Sequence, residues 1–565
     1  MSAISSAPSN VAQITGGQAV VDALIQSGVT AAFGIPSIHN IGIYDALRQR
    51  PEFHHWIVRH EQAAGFAADG FYRRSGKPAA VFASTGPGNL FTLVPLLESL
   101  QTGTPVILIG ANVATPLLDK NCGALHETPS QLEILRPLTR FAVRVASAEE
   151  IPEAIAQAVA ADGPSFVEIP NDLLYAPISS ELVSISSHRS QPARVTATRE
   201  QIAGAVSRIQ ASAKPIILLG SDVAKDNALP AVLKLAEELS APVVTTTSGK
   251  GLIPDDHPLA MGCISRLGAV QDLLKESDLL ISFGAQLNEF DTGRFGLKLP
   301  EHHIQAHRSG YGRATAFPAS NPLYADLGAI AQSLLAGVKP SKPWCGIAAI
   351  RADEKTRLEA LHQAGYEALG LLREAMSKDD VLANDQSILN YWASAFFPVL
   401  NPRSFVYPIG SGTLGYGLPA AIGAACAARC YGLPERVVCI AGDGGFQYTA
   451  HELATLAQYN LPVKILLVND NAYGVIGFLQ RSYFGHTHEV KLQNPDFCRM
   501  AESFGVKGLS VSSLEELQLS LRPWLDASGP ALLEWRTDLK TPWETGAVNR
   551  PTSIPQPSQQ PKESK

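Results

Sequence analysis

Five apolar segments of strand length recur along the chain, and each ends in Gly, Asn, Asp or a small residue before a stretch with helical periodicity. They are PVILIGAN (105–112), KPIILLGSD (214–222), SDLLISFGA (277–285), RVVCIAGDGG (436–445) and VKILLVNDN (463–471). Unbroken apolar strands that alternate with helices are typical of parallel sheets whose two faces are both covered. The pattern therefore predicts an α/β protein built from doubly wound parallel sheets.

The chain is too long for a single hydrophobic core. It has 565 residues, and since domains of roughly 100–200 residues are usual, we expect about three of them. Polar stretches at 179–200 and around 339–360 are predicted to be linkers, and residues 550–565 a disordered tail. Each domain is expected to hold one parallel sheet with its helices. The predicted domains are 11–180, 195–345 and 360–549.

Charge and hydropathy argue against two classes of partner. The formal net charge is -7, and the absence of a Lys/Arg block argues against nucleic acid or an anionic membrane surface. The longest apolar runs are strand-sized, well short of the roughly 20 residues that a membrane-spanning helix needs. The opening MSAISSAPSN does not resemble a secretory signal. We therefore predict a cytoplasmic protein that binds small molecules, with no nucleic-acid or membrane partner.

Oxygen ligands follow two of the predicted strands. Asp443 comes directly after RVVCIAG, and Asn469, Asp470 and Asn471 follow KILLV. In an open parallel sheet, ligands lie beyond the carboxyl ends of the strands, where helix N-termini also point. Carboxylate and amide oxygens at such a place suit Mg²⁺ or Ca²⁺, and a bound cation in turn suits a diphosphate.

Glycines surround the first of these acidic residues. Gly442, Gly444 and Gly445 would let the main chain approach phosphate groups closely. A Gly-Asp-Gly by itself is more often an ordinary turn. The complete unit of strand, helix and second polar strand end is much more specific, and it indicates a site for a metal and a diphosphate.

This unit resembles the cofactor motif of thiamin diphosphate enzymes, which begins with Gly-Asp-Gly and closes on an Asn-rich strand end. The resemblance covers essentially the whole chain and points to the group of acetolactate synthase, benzoylformate decarboxylase and benzaldehyde lyase. It implies a metal held by Asp443, Asp470 and the main-chain carbonyl of Ala472, with Tyr473 and Gly474 also against the cofactor. Asp470 stands where Asn is usual, and the extra carboxylate is expected to keep the metal.

Two further stretches resemble the same family. HWIVRHEQAAGFAADGFYRRSGKPAAVFASTGPGN (55–89) resembles its pyrimidine-binding domain, which implies that Glu61 hydrogen-bonds the aminopyrimidine ring and relays protons for activation of the thiazolium carbon. Taken alone, Glu61 could equally be a residue favoured at a helix N-terminus by the helix dipole. PIGSGTLGYGLPAAIGAA (408–425) resembles the segment that holds the cofactor bent, which implies Leu414 beneath the rings and the carbonyl of Gly412 as a hydrogen-bond acceptor.

The resemblance also identifies candidate substrate residues in the first half of the chain. Ile38 lies where several decarboxylases carry a polar or acidic group, and His39 follows it, as a His does in benzaldehyde lyase. His126 occupies the place from which relatives direct a Gln towards the substrate. His39 and His126 are therefore candidate proton-transfer residues. The alternatives are a surface histidine at a loop tip for His39 and a structural role for His126.

The segment after the metal motif normally shapes the substrate pocket. Ile476 and Leu479 fall at positions that face substrate in relatives, and Leu479 replaces a Trp of the acetolactate synthases, which counts against a housekeeping acetolactate synthase. Arg481 is a candidate reader of a substrate carboxylate, with helix capping as its alternative. The resemblance leaves open whether the middle domain binds a flavin or a nucleotide.

Taken together, the resemblance implies an enzyme that uses thiamin diphosphate and Mg²⁺, with Ca²⁺ as a substitute. We predict a 2-oxo acid decarboxylase or carboligase that works through an enamine intermediate, with an aldehyde or ketone as a second substrate in the carboligase case. The alternatives are an acetolactate synthase-like transferase, a 2-hydroxy ketone lyase and a non-catalytic relative. The resemblance further implies a homodimer or homotetramer with active sites at subunit interfaces. A nicotinamide oxidoreductase is disfavoured because no Gly-x-Gly-x-x-Gly turn precedes an acidic strand end.

Overall fold

The computed structural model describes residues 12–186, 196–266, 268–308 and 316–549. The predicted tail at 550–565 and the centre of the predicted first linker lie outside these residues. The chain divides into two compact units. The first comprises residues up to 193 except 74–76, and the second comprises residues 74–76 and those from 194 onwards. Each unit is described by itself.

The first unit is a six-stranded parallel sheet with helices and a small two-stranded antiparallel sheet. The order of the large sheet is β3-β2-β4-β5-β7-β6, and β1 pairs with β8. The strands are β1 (Gln13–Thr15), β2 (Ala31–Gly34), β3 (His54–Ile57), β4 (Ala79–Ala83), β5 (Val106–Asn112), β6 (Phe141–Arg144), β7 (Ser165–Pro170) and β8 (Pro177–Ser179). The helices are α1 (Gly16–Gln26), α2 (Ile41–Leu47), α3 (Glu61–Ser75), α4 (Pro87–Leu90), α5 (Leu93–Thr102), α6 (Gln131–Leu135), α7 (Ile151–Ala160) and α8 (Glu181–Ser186).

The second unit contains two further six-stranded parallel sheets, the first of which has the order β11-β10-β9-β12-β13-β14. Its strands are β9 (Pro215–Leu219), β10 (Val243–Thr245), β11 (Ala260–Cys263), β12 (Leu279–Phe283), β13 (His302–His307) and β14 (Asn321–Tyr324). The helices of this part are α9 (Arg199–Ala211), α10 (Leu229–Glu238), α11 (Ala269–Glu276), α12 (Leu327–Gly337) and α13 (Ile347–Glu359).

The other sheet of the second unit has the order β16-β15-β17-β18-β20-β19. Its strands are β15 (Val381–Asn384), β16 (Phe405–Val406), β17 (Val437–Gly442), β18 (Val463–Asn469), β19 (Lys507–Val511) and β20 (Ala531–Arg536). Its helices are α14 (Ala364–Ala375), α15 (Ile388–Phe396), α16 (Gly417–Tyr431), α17 (Asp443–Phe446), α18 (Leu453–Tyr459), α19 (Gly474–Phe484), α20 (Phe497–Ser503) and α21 (Leu514–Asp526).

The predicted fold class is confirmed, because three doubly wound parallel sheets are present. The five apolar segments of the sequence form β5, β9, β12, β17 and β18, and every residue of these strands is buried. Burial on both faces explains why their sequences are apolar throughout and do not alternate. The predicted domain boundaries remain predictions, since the contacts divide the chain into two units and not three.

The region around 339–360 was wrongly predicted to be a linker throughout. Helix α13 occupies most of it, with Ile347 and Leu358 buried. The Arg351 side chain also donates hydrogen bonds to the main-chain carbonyls of His257 and Ala260. The region is polar because only a narrow stripe of this helix is buried. Composition alone does not distinguish such a helix from a linker.

None of the helices in the described parts of the chain is long and apolar enough to cross a membrane.

Candidate active site

The two acidic strand ends lie side by side at one edge of their sheet. Strands β17 and β18 are parallel neighbours, with Gly442 opposite Val468 in the register. Asp443 therefore begins α17 directly beyond one strand, and Asp470 follows the last residue of the other. This arrangement agrees with the prediction made from the sequence that the two carboxylates meet.

Burial perturbs both carboxylates. Burial first, and then the negative charge of Asp443, raise the pKa of Asp470 to about 7. Burial also raises the pKa of Asp443, an effect that hydrogen bonds from Asn494 and from main-chain N–H groups oppose. Two carboxylates that repel each other in a partly dry cavity fit a divalent cation, since the cation would remove the repulsion.

The side-chain donor set for such a cation is small. Among the residues that the structure describes, no group of three or more His, Cys, Asp or Glu side chains could hold a metal ion. Ala472 lies in the same cavity as the two carboxylates, and its N–H donates to Asp470 Oδ1 at 3.1 Å. A cation here would therefore need oxygen atoms of the main chain and of a bound ligand to complete its coordination. Mg²⁺ usually binds in this way, with few protein carboxylates and several oxygens from phosphate or water.

A cavity of about 210 Å³ adjoins the carboxylates. Its floor has no room for side chains, since a Cβ atom on Gly444 would lie 2.7 Å from Tyr473 Cε1 and one on Gly474 would lie 2.4 Å from Asp470 Oδ2. The close approach of main chain to the cavity is what a diphosphate would need. The predicted residues that line it are Gly412, Leu414, Gly442, Asp443, Gly444, Gly445, Asp470, Ala472, Tyr473, Gly474 and Ile476.

Asn494 joins the two strand ends, and the sequence prediction missed it. Its Nδ2 atom lies 2.5 Å from Asp443 Oδ2 and 3.0 Å from Asn469 Oδ1, while its Oδ1 accepts from Gln447. Asn469 in turn donates to the buried carboxylate of Glu534. Asn494 lies in a loop far along the chain from both strands, and no local pattern marks it.

Asp385 was also missed, although the sequence carries a signal for it. Its carboxylate is buried and accepts hydrogen bonds from the main-chain N–H groups of Gln386, Gly415 and Gly417. Burial raises the pKa of Asp385 to about 6. The residue fixes the glycine-rich segment that presents Gly412 and Leu414. It follows strand β15, so the rule that identified Asp443 would have found it too.

Glu61 and the two histidines lie in the first unit. Glu61 is the first residue of α3, partly buried, and its Oε1 atom lies 3.2 Å from where a Cβ on Gly88 would be. His39 is buried, and its ring centroid lies 5.3 Å from that of the exposed His126. Ser84 Oγ is 3.4 Å from His39 Nδ1. The structure therefore brings the two predicted histidines together.

The electrostatics of the histidine pair favour a neutral His39. Burial lowers its pKa below the ordinary value of 6.5, and the nearby His126 lowers it further, while a main-chain hydrogen bond at Leu125 opposes both effects. His126 has a positive φ of 64°, an unusual conformation for a residue with a side chain. A neutral imidazole beside a second imidazole can accept a proton and pass it on.

The predicted substrate residues occupy different places. Ile38 is exposed in the first unit, and Ile476 lines the cavity of about 210 Å³ beside the carboxylates. Leu479 lines an adjoining cavity of about 350 Å³, which shares four lining residues with the first. Arg481 lines neither cavity and lies 3.7 Å from the carboxylate of Glu544. The roles assigned to these residues stay predictions.

Comparison with known proteins identifies the family. Sequence models of thiamine pyrophosphate enzymes match the chain in three places: the N-terminal TPP binding domain at residues 14–134, the central domain at 202–334 and the C-terminal TPP binding domain at 386–535. The chain is also 33% identical over 539 residues to the probable 2-ketoarginine decarboxylase AruI of Pseudomonas aeruginosa, which covers 93% of this chain and 94% of that protein. The chain belongs to the thiamine pyrophosphate enzyme family.

Other relatives of this thiamine pyrophosphate enzyme carry a different name. A probable acetolactate synthase large subunit of Methanocaldococcus jannaschii is 31% identical, over 92% of this chain and 91% of that protein. The acetolactate synthase isozyme 1 large subunit of Escherichia coli is 28% identical, over 93% of this chain and 94% of that protein. The family and the likeness along nearly the whole chain confirm the resemblance stated from the sequence.

Proposed function

We propose that this thiamine pyrophosphate enzyme removes CO₂ from a 2-oxo acid with the help of thiamin diphosphate and Mg²⁺. The observation that carries the proposal is the pair Asp443 and Asp470 at neighbouring strand ends, beside a cavity with a glycine floor. The names of the relatives support the substrate class, since 2-ketoarginine is a 2-oxo acid. When bound, thiamin diphosphate supplies a carbanion that attacks the substrate carbonyl and takes up the electrons released with CO₂.

On this proposal the protein holds and orients the cofactor. Asp443, Asp470 and the main-chain carbonyl of Ala472 hold Mg²⁺, which compensates the charge of the diphosphate. Leu414 would contact the rings of the bound cofactor, and the carbonyl of Gly412 would accept a hydrogen bond from its pyrimidine amino group. These placements follow the family resemblance, and the residues named line the cavity described above.

The protein also moves protons. Glu61 would hydrogen-bond the aminopyrimidine ring and hold the proton that activation of the cofactor requires. His39 and His126 serve the substrate carbonyl, since a neutral His39 is suited to take up a proton near pH 7. We further propose that the enzyme is cytoplasmic and is a homodimer or homotetramer in which Glu61 of one chain completes the site of another.

The reaction is tested with the purified chain, thiamin diphosphate and Mg²⁺. Straight, branched, aromatic and charged 2-oxo acids are supplied with and without an aldehyde acceptor, and CO₂ and organic products are followed together. We expect CO₂ release with at least one of them, and free aldehyde as the product. A 2-hydroxy ketone in place of the aldehyde would instead assign a carboligase, the activity for which the acetolactate synthases among the relatives are named. No CO₂ from any of these acids would overturn the proposal.

A further inference from the structure

Two cavities of the second unit meet beside the proposed metal and cofactor site. The first has a volume of about 210 Å³ and adjoins the two carboxylates, and the second has a volume of about 350 Å³. The residues that line both cavities, and so mark their junction, are Gln386, Tyr391, Gly412 and Val475. A 2-oxo acid that reacts in the first cavity and extends its side chain into the second would have its carboxylate near this junction.

The first cavity offers no positive side chain to that carboxylate. Among the described residues that line it, none is Lys, Arg or His. Arg294 lines the second cavity but not the first, and it donates to the hydroxyl of Tyr483 at 3.0 Å. Arg481 lines neither cavity and lies 3.7 Å from the carboxylate of Glu544. A carboxylate on the cofactor side of the junction therefore meets uncharged hydrogen-bond donors of this unit.

Several of these uncharged donors already have partners. Gln386 Nε2 donates to a main-chain carbonyl at 3.4 Å. The hydroxyl of Ser387, which lines the first cavity, donates to Asn390 Oδ1. The hydroxyl of Tyr473, also in the lining of the first cavity, interacts with that of Tyr448. These groups would have to give up an existing contact before they could bind a substrate.

Tyr391 differs from these residues because its hydroxyl has no hydrogen-bond partner within the described ranges of the chain. The residue lies in α15, and its ring contacts those of Phe290 and Trp543, with centroids 5.9 and 5.0 Å away. Burial raises the pKa of Tyr391 to about 12, so the phenol keeps its proton at neutral pH. Tyrosine hydroxyls inside a protein usually find a partner. The hydroxyl of Tyr391 is therefore available to a ligand at the junction.

We propose that the hydroxyl of Tyr391 donates a hydrogen bond to the carboxylate of the 2-oxo acid. The rings of Phe290 and Trp543 hold the phenol in place before the substrate arrives, which lowers the entropic cost of the contact. A neutral donor suits the reaction, because a cation would stabilise the charged acid relative to the neutral CO₂ that leaves. The inference rests on the proposed function and adds a substrate-binding residue to it.

The test removes one hydroxyl from the protein and one carboxylate from the ligand. The variant Tyr391→Phe keeps the ring and its aromatic contacts. The ligands are the 2-oxo acid that the wild type decarboxylates fastest, and the 2-hydroxy acid and the 1,2-diol with the same side chain. The last two differ only in the carboxylate. Calorimetry measures how they bind to the enzyme loaded with thiamin diphosphate and Mg²⁺, and steady-state kinetics give kcat and KM for the 2-oxo acid.

In Tyr391→Phe, we expect the 2-hydroxy acid to bind about 10- to 100-fold more weakly, the loss expected for a hydrogen bond to a charged group. The 1,2-diol should bind as it does to the wild type. KM for the 2-oxo acid should rise by a similar factor while kcat falls much less, the pattern of a contact that serves binding.

The matched control is Tyr366→Phe, which also removes a hydroxyl from a partly buried tyrosine. The ring of Tyr366 packs edge-on against Phe396 of α15 and lines neither cavity. This variant should keep the wild-type affinities for both analogues. It shows whether a Tyr-to-Phe change next to α15 is by itself enough to disturb the site.

Two results would overturn the inference and leave the proposed function intact. Unchanged binding of the 2-hydroxy acid to Tyr391→Phe would exclude the contact. Equal weakening of the 2-hydroxy acid and the 1,2-diol would show that the hydroxyl does not act on the carboxylate. If the wild type releases CO₂ from no 2-oxo acid, the proposed function fails, and the inference fails with it.

Discussion

At the scale of single residues, the proposed metal site depends on the two carboxylates beyond β17 and β18. Both Asp443 and Asp470 are at least partly buried, and the negative charge of Asp443 adds to the effect of burial in raising the pKa of Asp470. The family resemblance implies Asn at the second position, so the proposed metal site has one more carboxylate here than in the commoner form of the motif. The extra charge is expected to tighten metal binding.

The first prediction concerns these two positions. Asp443→Ala should abolish binding of thiamin diphosphate, because the diphosphate then faces Asp470 without a bound cation between them. Asp470→Asn should retain binding but weaken Mg²⁺ affinity by about tenfold, since one charged ligand becomes neutral. Calorimetric titration with and without Mg²⁺ measures both affinities.

The control for these variants is Asp272→Ala, which changes an aspartate at an exposed helix position. Metal-independent binding of the cofactor, or wild-type affinity in Asp443→Ala, would contradict the prediction.

A second prediction at this scale concerns the histidine pair. His39→Gln or His126→Gln should slow turnover by about 10²–10⁴-fold if the pair moves protons, while cofactor binding stays unchanged. Because burial lowers the pKa of His39 below 6.5, the wild-type rate should fall only as the pH drops below that value, and this acid limb should be missing in His39→Gln. Steady-state kinetics across the pH range measure both the loss of turnover and the missing acid limb.

The exposed His54 of the same unit provides the comparison for the histidine variants. His54→Gln should retain wild-type turnover and the wild-type pH profile. Full activity in both His39→Gln and His126→Gln would show that neither histidine takes part in proton transfer.

At the scale of elements, one histidine buried inside a strand is expected to make the stability of the fold depend on pH. His303 lies in β13, is 2% exposed, and its Nε2 is 2.8 Å from Ser282 Oγ of β12. Its Nδ1 is buried and has no hydrogen-bond partner in the described chain. Burial lowers the pKa of His303 to about 4 from 6.5, because a proton on this ring would be left without an acceptor.

We therefore predict that His303 destabilises the fold as the pH falls from 6.5 towards 4. In that range the unfolded chain binds the proton and the folded chain does not, so the free energy of unfolding decreases with falling pH, by about 2–3 kcal/mol from this residue. His303→Gln removes the titration and keeps a donor for Ser282. Urea unfolding at pH 7 and pH 4.5 should show a smaller loss in the variant than in the wild type. An equal loss in both proteins would contradict the prediction.

The helices and strands also show which parts of the fold can be predicted from the sequence. Fully buried strands were predicted because their apolar composition is required by burial on both faces, and the acidic strand ends were predicted because strand polarity fixes which edge they share. Helix α13 was missed because its narrow buried stripe is hidden in a polar sequence. Asn494 was missed because its contacts with Asp443 and Asn469 depend on the path of a distant loop. Local patterns do not encode such a path.

At the scale of the whole molecule, the family resemblance implies an active site that two chains complete together. Glu61 belongs to the first unit, and Asp443 and Leu414 belong to the second. The family resemblance assigns the two parts of one site to two different chains of a dimer. Since a two-fold axis repeats every contact, such a dimer would contain two equivalent sites.

The prediction is that two inactive variants restore activity in each other. Glu61→Gln protein mixed with Asp443→Ala protein should form heterodimers with one doubly altered site and one intact site. With random exchange about half of the dimers are mixed, so activity should approach roughly a quarter of wild type if the sites act independently. Turnover after mixing measures it, with each variant alone as the control. Exchange demonstrated by mass spectrometry without recovered activity would contradict the shared site.

The neighbour of Asn494 along the chain bears on the chemical ageing of the enzyme. Asparagine deamidates when the main-chain nitrogen of the next residue attacks the side-chain amide, and Pro495 follows Asn494. Proline has no N–H and is locked into a ring, so this route is closed. Deamidation here would place a third carboxylate against Asp443, where the amide now donates a hydrogen bond. The sequence thus protects, over the lifetime of the protein, an amide whose loss would replace a hydrogen bond to Asp443 by repulsion between two carboxylates.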